Sequence, residues 1–431
     1  MNTLTVFIER NGKQVRAGEI QCPNSNEASF RYTENYLQMP YAAPISISLP
    51  LQPSIFSPEQ TRNFFEGLLP EGFARKSAAS WMKVGEGDYL ALLAGLGKEC
   101  LGAVRIAADS EETAEAYYEK IGKDQIAELA EEGAVKSAQL VTKSHLSLTG
   151  ATGKTGLYYD RPHDTWYLPM GEAPSTHIVK QSHIRFDGIV TNEQLCLMTA
   201  GKLGIKIPES FIINTGNADD GEVLFATERY DRLLSPDSDL ISGMKRPLRL
   251  HQEDFAQAMG RSSSEKYEKS DTGYLKEMFR ILAAYSSNPI EDQLKLWDMI
   301  LFDYFAGNTD NHIKNFSLLY DENLRGIRLA PAYDIVSTTV YTESTRDMGI
   351  AIGGEVRIGH IGREHFRKEA KEIHIGQKIA MEHFDEIGSR FEKALKSSAL
   401  QLEESGFQKA GKIGQKILES GGIAKYRQNV I

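Results

Sequence analysis

Cysteine is scarce in this chain. Its three copies, Cys22, Cys100 and Cys196, lie far apart and form no CxxC pair. That excludes a disulfide scaffold and a cysteine-rich zinc module, and it fits a reducing compartment. Basic charge is in deficit, 49 Lys and Arg against 59 Asp and Glu for a net charge of −10. Such a balance argues against a protein that coats nucleic acid or an anionic membrane by itself. Long apolar runs are missing as well, since no window approaches the roughly 18 uninterrupted apolar residues of a membrane span. The opening residues, Met1 to Arg10, alternate and carry charge early, as a strand does and a signal peptide does not. There is no fixed-period repeat and no low-complexity tract. What remains, 41% hydrophobic and 25% charged over 431 residues, predicts a soluble cytoplasmic protein of two or three domains or one large bilobed body.

Periodicity supplies the organisation. Leu4 to Ile8 and Val15 to Ile20 read as strands joined at Asn11-Gly12, a tight-hairpin dipeptide. Ile45 to Leu49 alternates with period two and predicts another strand. Phe64, Phe65, Leu68 and Leu69 form a helical stripe, Asp88 to Leu93 a second short helix, and Gly102 to Ile106 a strand, closing an α+β unit at 1–107. Residues 108–140, rich in Ala and Glu, predict a solvated helical connector. Strands follow at Trp166 to Leu168, His177 to Lys180, Phe211 to Ile213 and Val223 to Thr227, with a helix over Glu193 to Leu203. Beyond about 235 helices take over, at Glu253–Met259, Gly273–Ser286, Glu291–Phe305 and in a series from about 363 to 420. The expected division is 1–107, 108–234 and 235–431, a bilobed fold with a cleft between the lobes.

The chemistry concentrates in Gly307-Asn308-Thr309-Asp310-Asn311-His312-Ile313-Lys314-Asn315-Phe316, a polar loop between an apolar helix and a strand-like run. Farther on, Ala330-Pro331-Ala332-Tyr333-Asp334-Ile335 sets a second acid after a strand. Phosphoryl transfer from a nucleotide needs one carboxylate for the proton of the attacking hydroxyl, plus an amide oxygen and a second carboxylate for Mg²⁺. In kinase catalytic loops the base Asp and the metal-binding Asn are about five residues apart, the spacing of Asp310 and Asn315. Read alone, Asp310 is a turn cap and Asp334 a helix N-cap. Upstream, Ser147 to Gly156 offers small residues whose backbone N–H groups approach phosphate oxygens. Its Gly153-Lys154-Thr155 is no P-loop, because Leu148 stands where that motif needs Gly. Lys180 ends an apolar strand, where an ammonium calls for an anionic partner, and Glu193 is the candidate to orient it.

With these residues in place, the sequence resembles the HipA family of bacterial serine/threonine kinase toxins along nearly its whole length. The likeness includes Phe64 to Glu71, Leu101 to Val104, Ser147 to Ala151, Thr176 to Lys180, Asn192-Glu193, Glu228 to Arg232 and Leu250 to Asp254. Its strongest part is the DxHxKN run at 310–315 followed by Tyr333-Asp334-Ile335. The resemblance implies an α+β, bilobed protein-kinase-like fold with an extra β-rich N-terminal subdomain and an all-helical C-terminal lobe. It implies Asp310 as catalytic base, Asn315 and Asp334 as Mg²⁺ ligands, and Lys180 on the nucleotide phosphates. ATP would further meet Thr149, Gly150, Ala151, Thr152, Gly153 and Lys154 of the phosphate loop, Glu228, Arg229 and Tyr230 at the adenine, and His312, Ile313, Lys314 and Tyr333 nearby. Ser147 matches the position that members phosphorylate on themselves, a charge that disfavours a loop held against ATP.

Three departures stand out: Thr152-Gly153-Lys154 where members often carry Gln-Glu-Lys, Asn311 where Gly is common, and a shorter stretch between Lys180 and Glu193 than in some members. The implied target is a translation component such as an aminoacyl-tRNA synthetase. The implied partner is a helix-turn-helix antitoxin of the HipB type, through which alone the chain would reach operator DNA. Two other readings compete: a catalytically weak ATP-binding co-repressor acting with that antitoxin, and a kinase for a small metabolite. His360, His365 and His374 have no ligand spacing, and Arg363, Arg367, Lys368 and Lys371 read as a solvated face before a DNA contact.

Overall fold

The Asn11-Gly12 pair turns with φ of 46° and 74°, the left-handed geometry of a two-residue hairpin. It joins strands Thr3–Arg10 and Lys13–Gln21 in the register Arg10 opposite Lys13. The structure, a computed structural model, describes residues 3–24, 26–108, 115–132, 154–182, 186–216, 222–269 and 272–430. The chain divides into two units built from separated stretches. Unit 1 takes Met1–Gln181, Ala226–Ser263 and Leu318–Ile327; unit 2 takes Ser182–Phe225, Ser264–Ser317 and Arg328–Ile431.

Unit 1 opens with a four-stranded sheet in the order Ser29–Tyr32, Lys13–Gln21, Thr3–Arg10, Val104–Ala108. Leu4, Val6 and Ile8 are fully buried, as period-two alternation requires. Helix Pro58–Glu66 begins with a Ser57/Gln60 capping box and Pro at its first turn. It buries Phe64 and Phe65, the latter 5.3 Å from the Phe30 ring centroid. Asp88 caps helix Tyr89–Leu96 through the N–H of Ala91. A second sheet runs Tyr117–Ile121, Thr165–Met170, Lys154–Asp160, His177–Gln181, followed by Val223–Glu228, whose last residues belong to this unit.

Two local expectations fail. Ile45 to Leu49 is a turn closed by a single bridge between Ser46 and Leu49. Ile45 and Leu49 are buried and Ile47 half-buried, but the backbone is satisfied from outside a ladder. The Tyr32 hydroxyl accepts from Ile45 N at 3.0 Å and donates to Leu49 O at 2.5 Å. Ile47 N donates to the Glu253 carboxylate at 3.1 Å. The 108–140 connector is also not one solvated helix. Its described part holds strand Tyr117–Ile121 before helix Lys123–Glu132. Tyr118 and Ile121 are buried in the sheet, with Tyr118 4.5 Å from Tyr158 between ring centroids.

Unit 2 is mainly helical, but the C-terminal lobe expected to be all-helical carries strands as well. Its centre is helix Pro289–Ala306, with Leu296, Trp297, Ile300, Leu301, Phe302 and Phe305 buried. Phe305 packs against Phe384, Phe391 and Tyr426 at 5.1, 6.1 and 5.6 Å, on helices Gln377–Glu404 and Gly422–Val430. Helix Ile189–Lys202 buries most of its length, and strands Asp347–Ile352 and Glu355–Arg357 form a short hairpin. Among the described residues no helix is long and apolar enough to cross a membrane.

Candidate active site

In unit 2, Gly307 ends the central helix with φ 74°, a left-handed C-cap. A side chain there is excluded: its Cβ would stand 2.0 Å from Thr339 Oγ1 and 3.0 Å from Gly421 Cα. The chain then enters the polar loop, which neutral groups hold. Asn308 donates from its backbone N to Asp303 O at 2.8 Å and from Nδ2 to Asp303 Oδ1 at 2.9 Å. Asn308 Oδ1 takes the N–H of Asp310 at 3.1 Å. Burial pushes the Asp303 carboxyl up to about 8, against the opposing Asn308 hydrogen bond, so it is protonated at neutral pH. The Thr309 hydroxyl meets Thr338 Oγ1 at 2.6 Å and donates to Thr345 O at 3.1 Å.

The Asp310 carboxylate emerges from this support exposed, while Asn311, His312, Ile313 and Lys314 are buried. His312 N and Asn315 Nδ2 both donate to Asp310 O, at 2.9 and 2.8 Å. With its nitrogen fixed there, Asn315 presents Oδ1 away from the turn. Tyr333 bonds through its hydroxyl to Lys314 O at 3.0 Å and Ser317 Oγ at 2.6 Å. This brings the residue before Asp334 to the turn of the polar loop. Asp334 itself has φ 55°, a conformation disfavoured for any residue with a Cβ and characteristic of functional positions. Three residues on, Ser337 is clamped by buried Asn192, whose Oδ1 accepts from Ser337 N and whose Nδ2 donates to Ser337 O, both at 3.0 Å. Asn315 and Asp334 thus supply an amide oxygen and a carboxylate, the hard-oxygen donor set that suits Mg²⁺.

Unit 1 holds the other expected residues. Lys180 is buried at the end of its strand and stands directly opposite Lys154 in register. Directly opposed ammonium groups on one sheet face disfavour each other. Arg229 meets a different fate. All five of its guanidinium N–H groups are engaged inside the unit, with Asp231, Glu99, Ser175 Oγ and Cys100 O. Its side chain belongs to a buried charge cluster with Asp231, Arg232, Arg249, Glu99 and Glu9, so the expected nucleotide contact does not fall to it. Burial alone would raise the Glu99 carboxyl, but Arg232, Arg249 and Arg229 hold it far below the usual range. Tyr230, half-buried, hydrogen-bonds Gln252 Oε1. Ser147 and the expected phosphate-loop residues Thr149 to Gly153 lie outside the described residues.

Sequence reasoning placed Asn308 in the polar loop but gave it no supporting role, and it passed over Asp303 and the clamp of Asn192 on Ser337. The basic cluster at 363–371 is a solvated face. Arg363 pairs with Asp385, Arg367 with Glu364 at 2.7 Å and Lys368 with Glu372 at 3.7 Å.

A family model for the HipA-like C-terminal domain matches residues 146–395, and one for the HipA N-terminal domain matches residues 11–107. The chain belongs to the HipA family. The Sinorhizobium fredii protein named "Putative kinase Y4mE" is 32% identical over 368 residues, 83% of this chain and 84% of that one. The Shewanella oneidensis "Serine/threonine-protein kinase toxin HipA" is 25% identical over 410 residues, covering 92% and 90% of the two chains. A solved structure titled as the HipA, HipB and operator DNA complex of Shewanella oneidensis superposes with a TM-score of 0.79. It covers 98% of this chain and 97% of that one at 23% identity, so the HipA fold is shared along the whole chain. HipA relatives are thus named as kinases, and the α+β architecture is theirs.

Proposed function

We propose that this HipA-family chain is an ATP- and Mg²⁺-dependent serine/threonine protein kinase, the toxin of a toxin–antitoxin pair. The observation that carries this reading is the Asp310–Asn315 turn. There the backbone of exposed Asp310 is held by neutral hydrogen bonds with Asn308 and Asn315, and the Asn315 side chain is fixed on the same turn. Asn315 Oδ1 and Asp334 would hold Mg²⁺, which would neutralise phosphate charge. Asp310 accepts the proton of a Ser or Thr hydroxyl as that oxygen bonds to the γ-phosphorus and the bond to the β-phosphate oxygen breaks. Lys180 and Lys154 neutralise phosphate oxygens. Glu228 through its backbone and Tyr230 by its ring receive the adenine, and His312, Ile313, Lys314 and Tyr333 line the nucleotide. Thr149 to Gly153 cover the phosphates, and Ser147 accepts a phosphoryl group in self-inactivation.

The relatives' names support a toxin that pairs with a HipB-type antitoxin at operator DNA; we further place the chain in the cytoplasm and take a translation component such as an aminoacyl-tRNA synthetase as its target. The test incubates the chain with Mg²⁺ and γ-labelled ATP beside D310N, followed by phosphopeptide mapping. Label on protein that vanishes in D310N is expected. Bound ATP without label on any protein, cell extract included, overturns the kinase reading in favour of an ATP-binding co-repressor.

A further inference from the structure

The segment 264–269, Ser-Glu-Lys-Tyr-Glu-Lys, carries no motif, yet in unit 2 it is bound to the catalytic loop. Lys266 O accepts from Ile313 N at 3.3 Å, and Glu268 N donates to Gly349 O at 2.9 Å. The buried Glu268 carboxylate takes Thr272 N, Thr272 Oγ1 and Tyr274 N on one oxygen, at 2.7, 2.9 and 3.2 Å. Its other oxygen takes Ala351 N at 2.9 Å. Strand Asp347–Ile352 is fixed to the loop in turn, since Gly349 N donates to Asn311 Oδ1 at 2.8 Å. A Cβ on Gly349 would stand 2.7 Å from His312 N, so strand and loop touch backbone to backbone.

Tyr267 therefore lies between two residues whose backbones are both pinned. Its ring meets the His312 ring edge-on, with centroids 5.0 Å apart and planes at 82°, and Lys266 Nζ lies 5.4 Å from the ring centre. From that seat the phenol hydroxyl donates to Oδ1 of Asp310. An aspartate carboxyl otherwise rotates in a broad two-fold torsional well. A donor fixed on one oxygen sets the plane of the group and reserves the other oxygen. A general base works only with its lone pair within hydrogen-bond reach of the proton. A displacement of about 1 Å at a reacting group costs up to about a hundredfold in rate.

We infer that Tyr267 is the positioning residue of Asp310: its hydroxyl holds Oδ1 so that Oδ2 takes the proton of the acceptor hydroxyl. The inference rests on the kinase reading above. The ring is 41% exposed, so water competes for this bond in the free protein. An acceptor protein that covers the site excludes that water and strengthens the bond when it is needed.

The experiment compares wild type, Y267F, Y267A, D310N and the D310N/Y267F double variant as full chains. Phosphoryl transfer from γ-labelled ATP is read on the chain itself and on dephosphorylated casein, and Mg·ADP binding by calorimetry. Y267F keeps the ring on His312 and loses only the hydroxyl. Its turnover is expected to fall on the order of tenfold with Mg·ADP binding unchanged, and Y267A is expected to be no faster than Y267F. In the D310N background the same change is expected to cost nothing further, because the partner is gone. A wild-type rate in Y267F with a slow Y267A assigns the role to the ring and overturns the inference. A faster Y267F makes the hydroxyl an obstacle to the acceptor and overturns it as well. An inactive wild type overturns the kinase reading, and this inference with it.

Discussion

In unit 1 the carboxylates of Glu9, Glu99 and Asp231 are buried, ionised and matched to arginines, whereas the buried carboxyl beside the Asp310 loop of unit 2, Asp303, is neutral and faces an amide. The difference follows from what each region must keep. The unit 1 cluster ties Glu9 and Glu99, from the first hundred residues, to Arg229, Asp231, Arg232 and Arg249. Long-range buried ion pairs fix one arrangement and lose heavily when a single partner is removed. The loop of unit 2 must leave one carboxylate available. Amides, hydroxyls and a protonated acid hold its backbone.

The comparison can be broken in four ways. The largest effect is expected from D310N, which leaves the loop's supporting bonds intact. Phosphoryl transfer falls by about 10³-fold or more, while the thermal midpoint stays within the scatter of replicate scans. A collapsed midpoint would show that the carboxylate serves folding. Next comes E99Q, where fully buried arginines lose their shared counter-charge. A loss of about 3–5 kcal/mol in denaturant unfolding is expected, and a near-neutral result would remove the ionic account of unit 1. N192A leaves the backbone groups of Ser337 without their buried partners and should cost about 1–3 kcal/mol. Its activity loss should exceed what instability explains, because the segment after Asp334 is released; hydrogen exchange of peptides spanning 333–340 reports it.

The smallest effect is graded with pH. The Asp303 carboxyl is raised from 3.8 to about 8, so the folded state keeps a proton that the unfolded chain has lost. Stability from this group is complete below about pH 4 and falls by about 1.4 kcal/mol per pH unit until pH passes about 8. Glu253 in unit 1, raised to about 7, follows the same sign but its fall ends earlier. Glu99 and Asp231, both lowered, have the opposite sign, contributing above the ordinary carboxylate range and losing that contribution as pH drops. Unfolding of D303N between pH 7 and 8 should be flatter than that of the wild type; parallel curves would mean Asp303 is ionised after all.

Much of this could be read from residue order because it depends on local spacing. The Asn11-Gly12 hairpin, the helix ended by Gly307 and the Asp310 to Asn315 turn are each set within a few residues. Ile45 to Leu49 misled because a period of two is also produced by a turn whose apolar residues dip into a core, and the Tyr32 hydroxyl that replaces its ladder partner is remote in sequence. Arg229 misled for the opposite reason. It sits in the Glu228 to Arg232 run that carries the family likeness, but its five donors are claimed by groups over fifty to over a hundred residues away as well as by Asp231. Tyr267 left no trace, and Asn192 appeared only within the family likeness and not as a clamp, since a lone tyrosine 43 residues before Asp310 and an asparagine 145 before Ser337 have no spacing to betray their contacts.

The close approach at Gly307 has a meaning in time. Gly421 is the backbone neighbour that a side chain at 307 would strike, and a Cβ on Gly421 would in turn stand 2.4 Å from Phe305 O. The root of the Asp310 loop thus receives its last wall from a part of the chain that leaves the ribosome long after the loop itself. A nascent chain carries the whole Asp310 to Asp334 apparatus before it can brace it.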